Sequence, residues 1–492
     1  GAFGAVNMVT KRQLEEGFTT RLQGAYGSYN TLVEVAEHGG KIKDTDYYLV
    51  QSFRSSSGHR DNAGGQLQDY FGRVGQQLTG NWYFSLTANG TSNYANDPGP
   101  EGRPREAQGT YEVDDQMTVA TLAHSYSRAK GDVKAYWNGG KASWVNQYDL
   151  TSLFYYDTIT RYDNYGVRAR ENLTPWTGAN LLAGLDLDFI SGKVDIDRAT
   201  PRPDSTFPWE AFRILSPYTG VSQEIPLGCG WTLVPSGGIR YYSHSDFDEQ
   251  WAPQAGLVLR NPDTDLHASY GRGVSYPGIF VAAQSNLFWG GNTRWKDLDP
   301  ETVDHIEAGI AHSFTPRIRA DVTFFHDRGQ NRFILVTVPA PPHYENIAEF
   351  RIQGVEATLT WAPTNEFTTF VGGTWIPDRA PDNLPYCPDW SLSAGMNVRF
   401  LERFRLSLDA LWQARQYVAN TRVANYGGSS IAEVGGFFLL NGKLSWEFKM
   451  QSPRMTGEIF LAGENLADQD YAYKKDYPMP GMTGMVGLNL KF

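Results

Sequence analysis

The C-terminal segment of the chain alternates between apolar and polar positions. Its apolar side holds Met482, Gly484, Val486, Leu488, Leu490 and Phe492. Its other side holds Thr483, Met485, Gly487, Asn489 and Lys491. A period of two that continues to a terminal Phe predicts a β-strand with one face in lipid and the other in a polar lumen.

The same alternation recurs along the chain, for example at residues 317–324, 404–415 and 438–449. In water, such a strand would place its apolar row on a core and its charges in solvent. In a membrane barrel the apolar row would face lipid and the charges would face the lumen. Periodicity alone therefore leaves both interpretations open.

The junctions between the predicted strands separate the two interpretations. Assigning strands by alternation gives about 22, and single-chain bacterial barrels have an even number. The short junctions are 78–81, 129–132, 227–230, 261–264, 315–316, 363–365, 401–403 and 452–453. The long segments are 93–115, 191–210, 276–303, 331–346, 378–389, 418–435 and 467–480. Since short and long junctions alternate, we predict an all-β transmembrane β-barrel of about 22 antiparallel strands, with long extracellular loops and short periplasmic turns.

Composition agrees with a barrel once the alternation is considered. The chain has 492 residues, 51 of them glycine, and 14% aromatic residues. Its mean hydropathy of -0.44 is that of a soluble protein, but a barrel strand carries apolar side chains on one face only. Apolar runs such as 437–440 fall far short of the ~18 residues that a spanning helix needs. No signal peptide is visible, so the chain is expected to be mature or trimmed.

Charge and cysteine content narrow the possible functions. The net charge of -11 disfavours nucleic acid as a partner, because such binding needs a basic face. The only two cysteines, Cys229 and Cys387, fall in a short turn and in a long loop. A hydrocarbon core of about 30 Å would separate them, whereas a disulfide needs Cα atoms within about 7 Å. We therefore predict two free thiols.

Candidate ligand-binding residues lie in the long segments. The segment 276–303 places Phe288, Trp289, Arg294 and Trp295 close together. Aromatic faces beside an arginine can bind a planar or anionic ligand; the alternative is an aromatic girdle with packing inside the loop. Further candidates in loops or at upper strand ends are Arg332, Tyr344, Arg415, Tyr417, Arg422, Tyr426, Arg240, Tyr242 and His244.

Other chemistry has weaker support in the sequence. Asp246, Asp248 and Glu249 could bind a calcium-like ion, but acidic residues at a hairpin tip are more often turn formers. Met482 and Met485 fall on opposite faces of the last strand, and the histidines lack zinc spacing. No metal site and no cofactor are therefore predicted.

Catalysis is not expected either. Histidine and serine adjoin at 124–125 and at 244–245, but adjacent strand residues face opposite ways. No Gly-x-Ser-x-Gly elbow occurs. The sequence therefore predicts a protein that is not an enzyme.

Five segments follow one another in an order known from a receptor family. They are residues 1–11, Tyr270-Gly271-Arg272-Gly273, Leu298-Asp299-Pro300-Glu301-Thr302 with Glu307-Ala308-Gly309, Gly354-Val355-Glu356-Ala357, and Glu464-Asn465-Leu466-Ala467-Asp468 with Tyr471 and 477–481. Together they resemble the signatures of TonB-dependent outer-membrane receptors over essentially the whole chain. The resemblance implies that residues 1–11 are the C-terminal end of a plug domain and that residues 12–492 are the receptor barrel.

The resemblance also implies a function and partners. The protein would be an active transporter for a scarce ligand, such as a siderophore-iron chelate or cobalamin, in the outer membrane of a Gram-negative-type bacterium. TonB would energise it through a plug that is missing from this chain or separate from it. Outer-membrane lipid and the ligand would be the other partners, and the barrel would be monomeric. The alternative is a plug-free passive diffusion channel, although general porins have only about 16–18 strands.

Charged residues on the predicted inner faces have two interpretations. They are Arg405, Asp409, Lys443, Glu447 and Glu356. They could contact a polar plug, or they could be hydrated lumen residues of the kind found in porins. The sequence does not separate these interpretations.

Overall fold

The structure is a computed structural model that describes nine stretches of the chain. They are 9–102, 108–149, 154–198, 203–287, 293–336, 343–347, 349–419, 431–451 and 455–492.

Strands make up most of these residues. The first eleven are β1 (Gly17–Gly27), β2 (Thr31–Ile42), β3 (Thr45–Ser56), β4 (Gly65–Gln77), β5 (Trp82–Pro98), β6 (Gln108–Ser125), β7 (Ala129–Asp149), β8 (Phe154–Leu173), β9 (Ala179–Arg198), β10 (Ser205–Gln223) and β11 (Ile225–Gly228). The next eight are β12 (Trp231–His244), β13 (Gln250–Arg260), β14 (Thr264–Ser275), β15 (Glu301–Thr315), β16 (Ile318–Gln330), β17 (Arg332–Val336), β18 (His343–Ile347) and β19 (Phe350–Trp361). The last ten are β20 (Phe367–Ala380), β21 (Trp390–Phe400), β22 (Phe404–Gln413), β23 (Gln416–Ala419), β24 (Ile431–Val434), β25 (Phe437–Met450), β26 (Met455–Glu464), β27 (Ala472–Lys474), β28 (Tyr477–Pro478) and β29 (Thr483–Lys491).

Helical structure is confined to connections. Helix α1 covers Ile279–Leu287, and two 3-10 turns cover Ser28–Asn30 and Thr293–Asp297. None of the helices in the described stretches is long and apolar enough to cross a membrane.

The main sheet closes into a barrel. Each wall strand pairs antiparallel with its neighbours, and β1 pairs with both β2 and β29, with Gly27 opposite Met485. The sheet has 23 strands, of which the short β11 pairs with β12 alone. The other strands form the closed 22-strand wall, so the predicted fold and strand number are confirmed. Three small hairpins, β17–β18, β23–β24 and β27–β28, lie in the connections.

The two faces of the wall follow the alternation. On β29, Val486 and Leu488 are exposed outwards at 55% and 39%, as a row facing lipid requires. Apolar residues on the outer faces of β22 and β25, such as Trp412 and Leu444, are also exposed. Polar residues of the same strands therefore face the lumen.

The ends of the barrel differ as predicted. At one end, here the short-turn rim, β2 joins β3 through two residues and β21 joins β22 through three. At the other end, here the loop rim, the connections include α1 and the three small hairpins. The two cysteines are free, as predicted: Cys229 is exposed in a short turn, and Cys387 is buried in the loop between β20 and β21.

Two predicted long loops are mainly strand, and this is a correction. Residues 93–115 and 191–210 belong largely to β5, β6, β9 and β10, where Pro98 pairs with Gln108 and Ile196 pairs with Ser205. The sequence misled because both faces of these segments carry polar residues. A second, smaller correction concerns the turn predicted at 129–132, because these residues begin β7 and the turn lies at 126–128.

Strands β5 to β10 therefore form a tall section of the wall. They have 17 to 21 residues each, whereas about 9–11 cross a bilayer. On the outer face, Trp137 of β7 and Tyr165 of β8 are exposed. Four residues nearer the loop rim, the outward positions of the same strands hold Lys141 and Arg161. About eight residues of each strand, or about 25 Å, thus project beyond the lipid on the loop-rim side.

Candidate functional site

A cap covers part of the lumen at the loop rim. We define the cap as residues 276–287, which include α1, residues 293–300, the connection 245–249, and the strands β17 and β18. Its apolar core consists of Phe212, Phe247, Val281, Ala282, Trp295 and Leu298. Ala283 of α1 packs against Val194 of β9. Side chains alternate between the two faces of a strand, and Val194 lies an odd number of residues from Leu185, which is exposed on the outer face. Val194 therefore faces the lumen. The helix therefore lies inside the barrel, against the inner wall.

Trp295 is a structural residue of this cap. Its ring lies 6.2 Å from that of Phe212 and 6.1 Å from that of Phe247, and only 6% of the residue is exposed. A ring covered in this way packs the loop and does not present a face to a ligand. Arg294 precedes it in the same 3-10 turn, and Trp289 lies outside the described residues.

Three further candidates lie on the inner face of β12, beneath the cap. The His244 ring lies 4.7 Å from that of Tyr276 and 4.9 Å from that of Phe247. Tyr242 contacts Tyr276 more loosely, at 6.4 Å. Both side chains are therefore part of the floor on which the cap rests.

Arg240 is held by a neighbouring carboxylate and by aromatic rings. It forms an ion pair with Asp186 of β9. Its guanidinium lies 4.9 Å from the Tyr218 ring and 5.1 Å from the Tyr242 ring. The arginine is thus fixed at the lumen wall, where part of it remains exposed.

The hairpin β17–β18 brings two more candidates to the cap. Tyr344 packs against the apolar core, and burial raises the pKa of its phenol. The Arg332 guanidinium lies 5.8 Å from the Phe350 ring. Phe350 belongs to a second cluster that includes Cys387. The structure therefore brings Arg240, Tyr242, His244, Trp295, Arg332 and Tyr344 to one region of the loop rim.

The remaining candidates lie in another part of the loop rim. Arg415 pairs with Glu433 at 3.3 Å, and its side chain is 70% exposed. The Tyr417 carbonyl accepts a hydrogen bond from the Tyr386 amide at 2.8 Å. Arg422 and Tyr426 lie outside the described residues.

The predicted lumen charges lie on the inner wall, and most of them pair across strands. The pairs are Arg405–Glu447 at 3.0 Å, Lys443–Glu458 at 2.8 Å and Asp409–Asn441 at 2.8 Å. Glu356 of β19 lies opposite Thr323 of β16. Because neighbouring side chains pair with Arg405, Glu447, Lys443 and Asp409, the inner wall is compatible with either a plug or water.

Sequence reasoning missed a cluster at the short-turn rim. Asp46, only 1% exposed, accepts hydrogen bonds from Arg12, Arg73 and Tyr83. Lys11 pairs with Glu37 at 2.8 Å. These contacts hold the segment before β1 against the inner face of β2 to β5. No local pattern signals them, because the partners are far apart in sequence.

Metal ligation finds no geometric support in the described stretches. No group of three or more His, Cys, Asp or Glu side chains there could hold an ion. The Asp246 carboxylate instead accepts a hydrogen bond from the Ser245 hydroxyl at 2.6 Å.

A closed 22-strand wall with short turns at one rim and a folded cap at the other defines a class of membrane receptor barrel. The sequence family described as "TonB dependent receptor-like, beta-barrel" matches residues 15–466, and the chain belongs to this family. Family and fold fit an outer membrane. No curated protein matches the chain.

Solved structures share the fold at low sequence identity. The copper transporter OprC has a TM-score of 0.79 and 14% identity, over 98% of this chain and 82% of that chain. The ferric enterobactin receptor PfeA of Pseudomonas aeruginosa, in complex with enterobactin, gives 0.75 and 14% over 98% and 82%. The siderophore receptor PirA of Acinetobacter baumannii gives 0.75 and 13% over 98% and 81%. At such identities the similarity shows the fold alone.

Proposed function

We propose that the protein is an active transporter for a scarce ligand, such as a siderophore-iron chelate or cobalamin, in a Gram-negative-type outer membrane. TonB would supply the energy through a plug. The observation that carries this proposal is the family match over a closed 22-strand barrel. A barrel of this size is too wide for side chains to fill, and 22-strand transporters enclose a plug.

The segment before β1 supports the domain division. Residues 1–11 would be the end of the plug and residues 12–492 the receptor barrel. Lys11 and Arg12 both pair with wall carboxylates, at 2.8 and 2.9 Å. A chain entering the lumen from a plug would need such attachment at the inner wall.

The loop rim would supply the roof of the binding site. We infer that Arg240, Tyr242, His244, Arg332 and Tyr344 act there with the cap, which Trp295 packs from within. Arg415, Tyr417, Arg422 and Tyr426 would contribute from the other part of the rim, and Trp289 and Arg294 from the cap loop. The roof would capture the ligand, and movement of the plug would then open the path.

Passive diffusion is the second candidate. One observation favours it: on the inner wall Arg405 pairs with Glu447 and Lys443 pairs with Glu458. These charges therefore need no plug to neutralise them. The strand number argues against it, because general porins close with about 16–18 strands.

Uptake by cells tests the proposal. Cells that lack the protein are compared with cells that carry it, using labelled ferric enterobactin, cobalamin and copper(II). We expect uptake of one of them that requires the protein and stops when an uncoupler abolishes the proton gradient. Protein-dependent uptake that survives the uncoupler, together with large steady bilayer currents from the full-length protein, would instead establish a passive channel.

A further inference from the structure

A row of five side chains, three of them apolar, crosses the inner face of β3 to β7, below the loop rim. Each residue in it is the register partner of the next: Arg54, Leu67, Asn93, Val113 and Ala142. The row thus spans β3 to β7, or about 19 Å at the usual spacing of strands. At its far end Ala142 pairs with Thr160, and Thr160 pairs with Val194 beneath α1.

The alternation of side chains along each strand shows that the row faces inwards, because odd-numbered and even-numbered residues lie on opposite faces. On β7 the outward positions are odd, as the exposed Val133 and Trp137 show, so Ala142 points to the lumen. On β4 the outward Val74 has even parity, so Leu67 also points to the lumen. Leu67 is 42% exposed, which is unusual for an apolar side chain on a wall that is otherwise largely polar.

Two aromatic side chains lie directly above the row. Tyr111 and Trp144 are register partners, and their rings stack at 4.9 Å with an interplanar angle of 16°. Tyr111 is 44% exposed. We call Arg54, Leu67, Val113, Tyr111 and Trp144 the upper shelf.

The upper shelf ends at a cation without a partner. Arg54 is exposed, and no carboxylate of the described residues pairs with it. Its counterpart Arg73, lower on the next strand, pairs with Asp46 at 2.8 Å. The carboxylates nearest the shelf are engaged elsewhere, since Asp69 accepts a hydrogen bond from Thr91 at 2.7 Å and Asp115 accepts one from Tyr162 at 2.6 Å.

We propose that the upper shelf binds an organic anion with a flat apolar body. The body would lie on Leu67 and against the edge of the stacked pair, and the negative group would reach Arg54. Exposed apolar area favours such a body, and an unpaired guanidinium favours a negative group that it can hydrogen-bond. A bare metal cation would gain nothing from these groups. This inference rests on the proposed function and specifies its substrate class.

A matched pair of fluorescent probes tests the shelf. One is 8-anilinonaphthalene-1-sulfonate, a flat anion; the other is N-phenyl-1-naphthylamine, the same ring system without the sulfonate. Both are titrated into the full-length receptor in nanodiscs, and empty nanodiscs are subtracted. Arg54→Gln should weaken binding of the anion about tenfold and leave the neutral probe unchanged, because only a charged hydrogen bond is lost.

Two further variants sharpen the test. Tyr111→Ala should weaken both probes, by about fivefold, because it removes ring area. Arg21→Gln is the matched control: Arg21 is another exposed lumen arginine, on β1 near the short-turn rim, and it should change neither probe. The binding assay needs neither TonB nor an energised membrane, so failure of active transport leaves its result intact.

The opposite results would overturn the proposal. They are an unchanged affinity for the anion in Arg54→Gln, or an equal loss in Arg21→Gln. A third contrary result combines two measurements: the unaltered receptor shows no saturable probe binding, and Arg54→Gln lowers the melting temperature. Together they would mean that plug polypeptide covers the shelf.

Discussion

Arg12 and Asp46 form an ion pair at 2.9 Å that fastens the segment before β1 to the barrel wall. The Arg12 guanidinium also lies 3.9 Å from the Tyr83 ring. Asp46 is buried and accepts a second arginine, Arg73, at 2.8 Å. The single negative charge of Asp46 therefore attracts both guanidinium groups and offsets part of the repulsion between them.

Asp46→Asn should be strongly destabilising. Removing the charge of a buried carboxylate that has two partners leaves both arginines uncompensated, which costs about 3–5 kcal/mol. Denaturant unfolding in detergent measures the change. Lys11→Gln is the control, because the Lys11 side chain is 57% exposed and such pairs contribute about 0.2–1 kcal/mol. Equal effects from the two variants would contradict the assignment of Asp46 as the anchor.

The two thiols should react very differently with maleimide. Cys229 is exposed at the short-turn rim, whereas Cys387 is 6% exposed, and burial raises the pKa of its thiol. Near neutral pH both access and thiolate content are therefore low at Cys387. Mass spectrometry of the folded protein should find one modified cysteine, and denaturation should yield two. Two fast modifications in the folded protein would show that the loop around Cys387 opens.

Trp295→Ala should loosen the cap while leaving the barrel closed. Truncating a buried Trp costs about 3–5 kcal/mol, and here the loss falls on the apolar core that packs the cap against the wall. Limited proteolysis should cut the connection 276–300 faster, while heat-modifiable migration of the barrel stays unchanged. Trp176→Ala provides the control, because Trp176 is 60% exposed in a short turn. If the variants were cut equally, Trp295 would not support the cap.

Local alternation predicted the barrel because each membrane-crossing strand has one face in lipid. It failed at 93–115 and 191–210, where both faces meet water and the chain still pairs as strand. The cap was also beyond prediction, since Trp295 meets Phe212 across more than eighty residues of chain. Arg240, Tyr242 and His244 could be placed on an inner face by parity, but the cap above them depends on contacts that no short segment encodes.

High pH should release the cap. Burial raises the pKa of Tyr344 and of Tyr276, both in the cap, above the usual value of about 10. Because the pKa of each phenol is higher in the folded cap than in the unfolded chain, the protonated phenols stabilise the cap. This stabilisation is fully present below pH 10 and is lost as the pH rises through the folded pKa. Proteolysis of the connection 276–300 should therefore accelerate above pH 10 in the unaltered protein. Tyr344→Phe should reduce the acceleration, since phenylalanine fills the same apolar site and cannot ionise, and an unchanged pH profile in that variant would exclude Tyr344 as the responsible group.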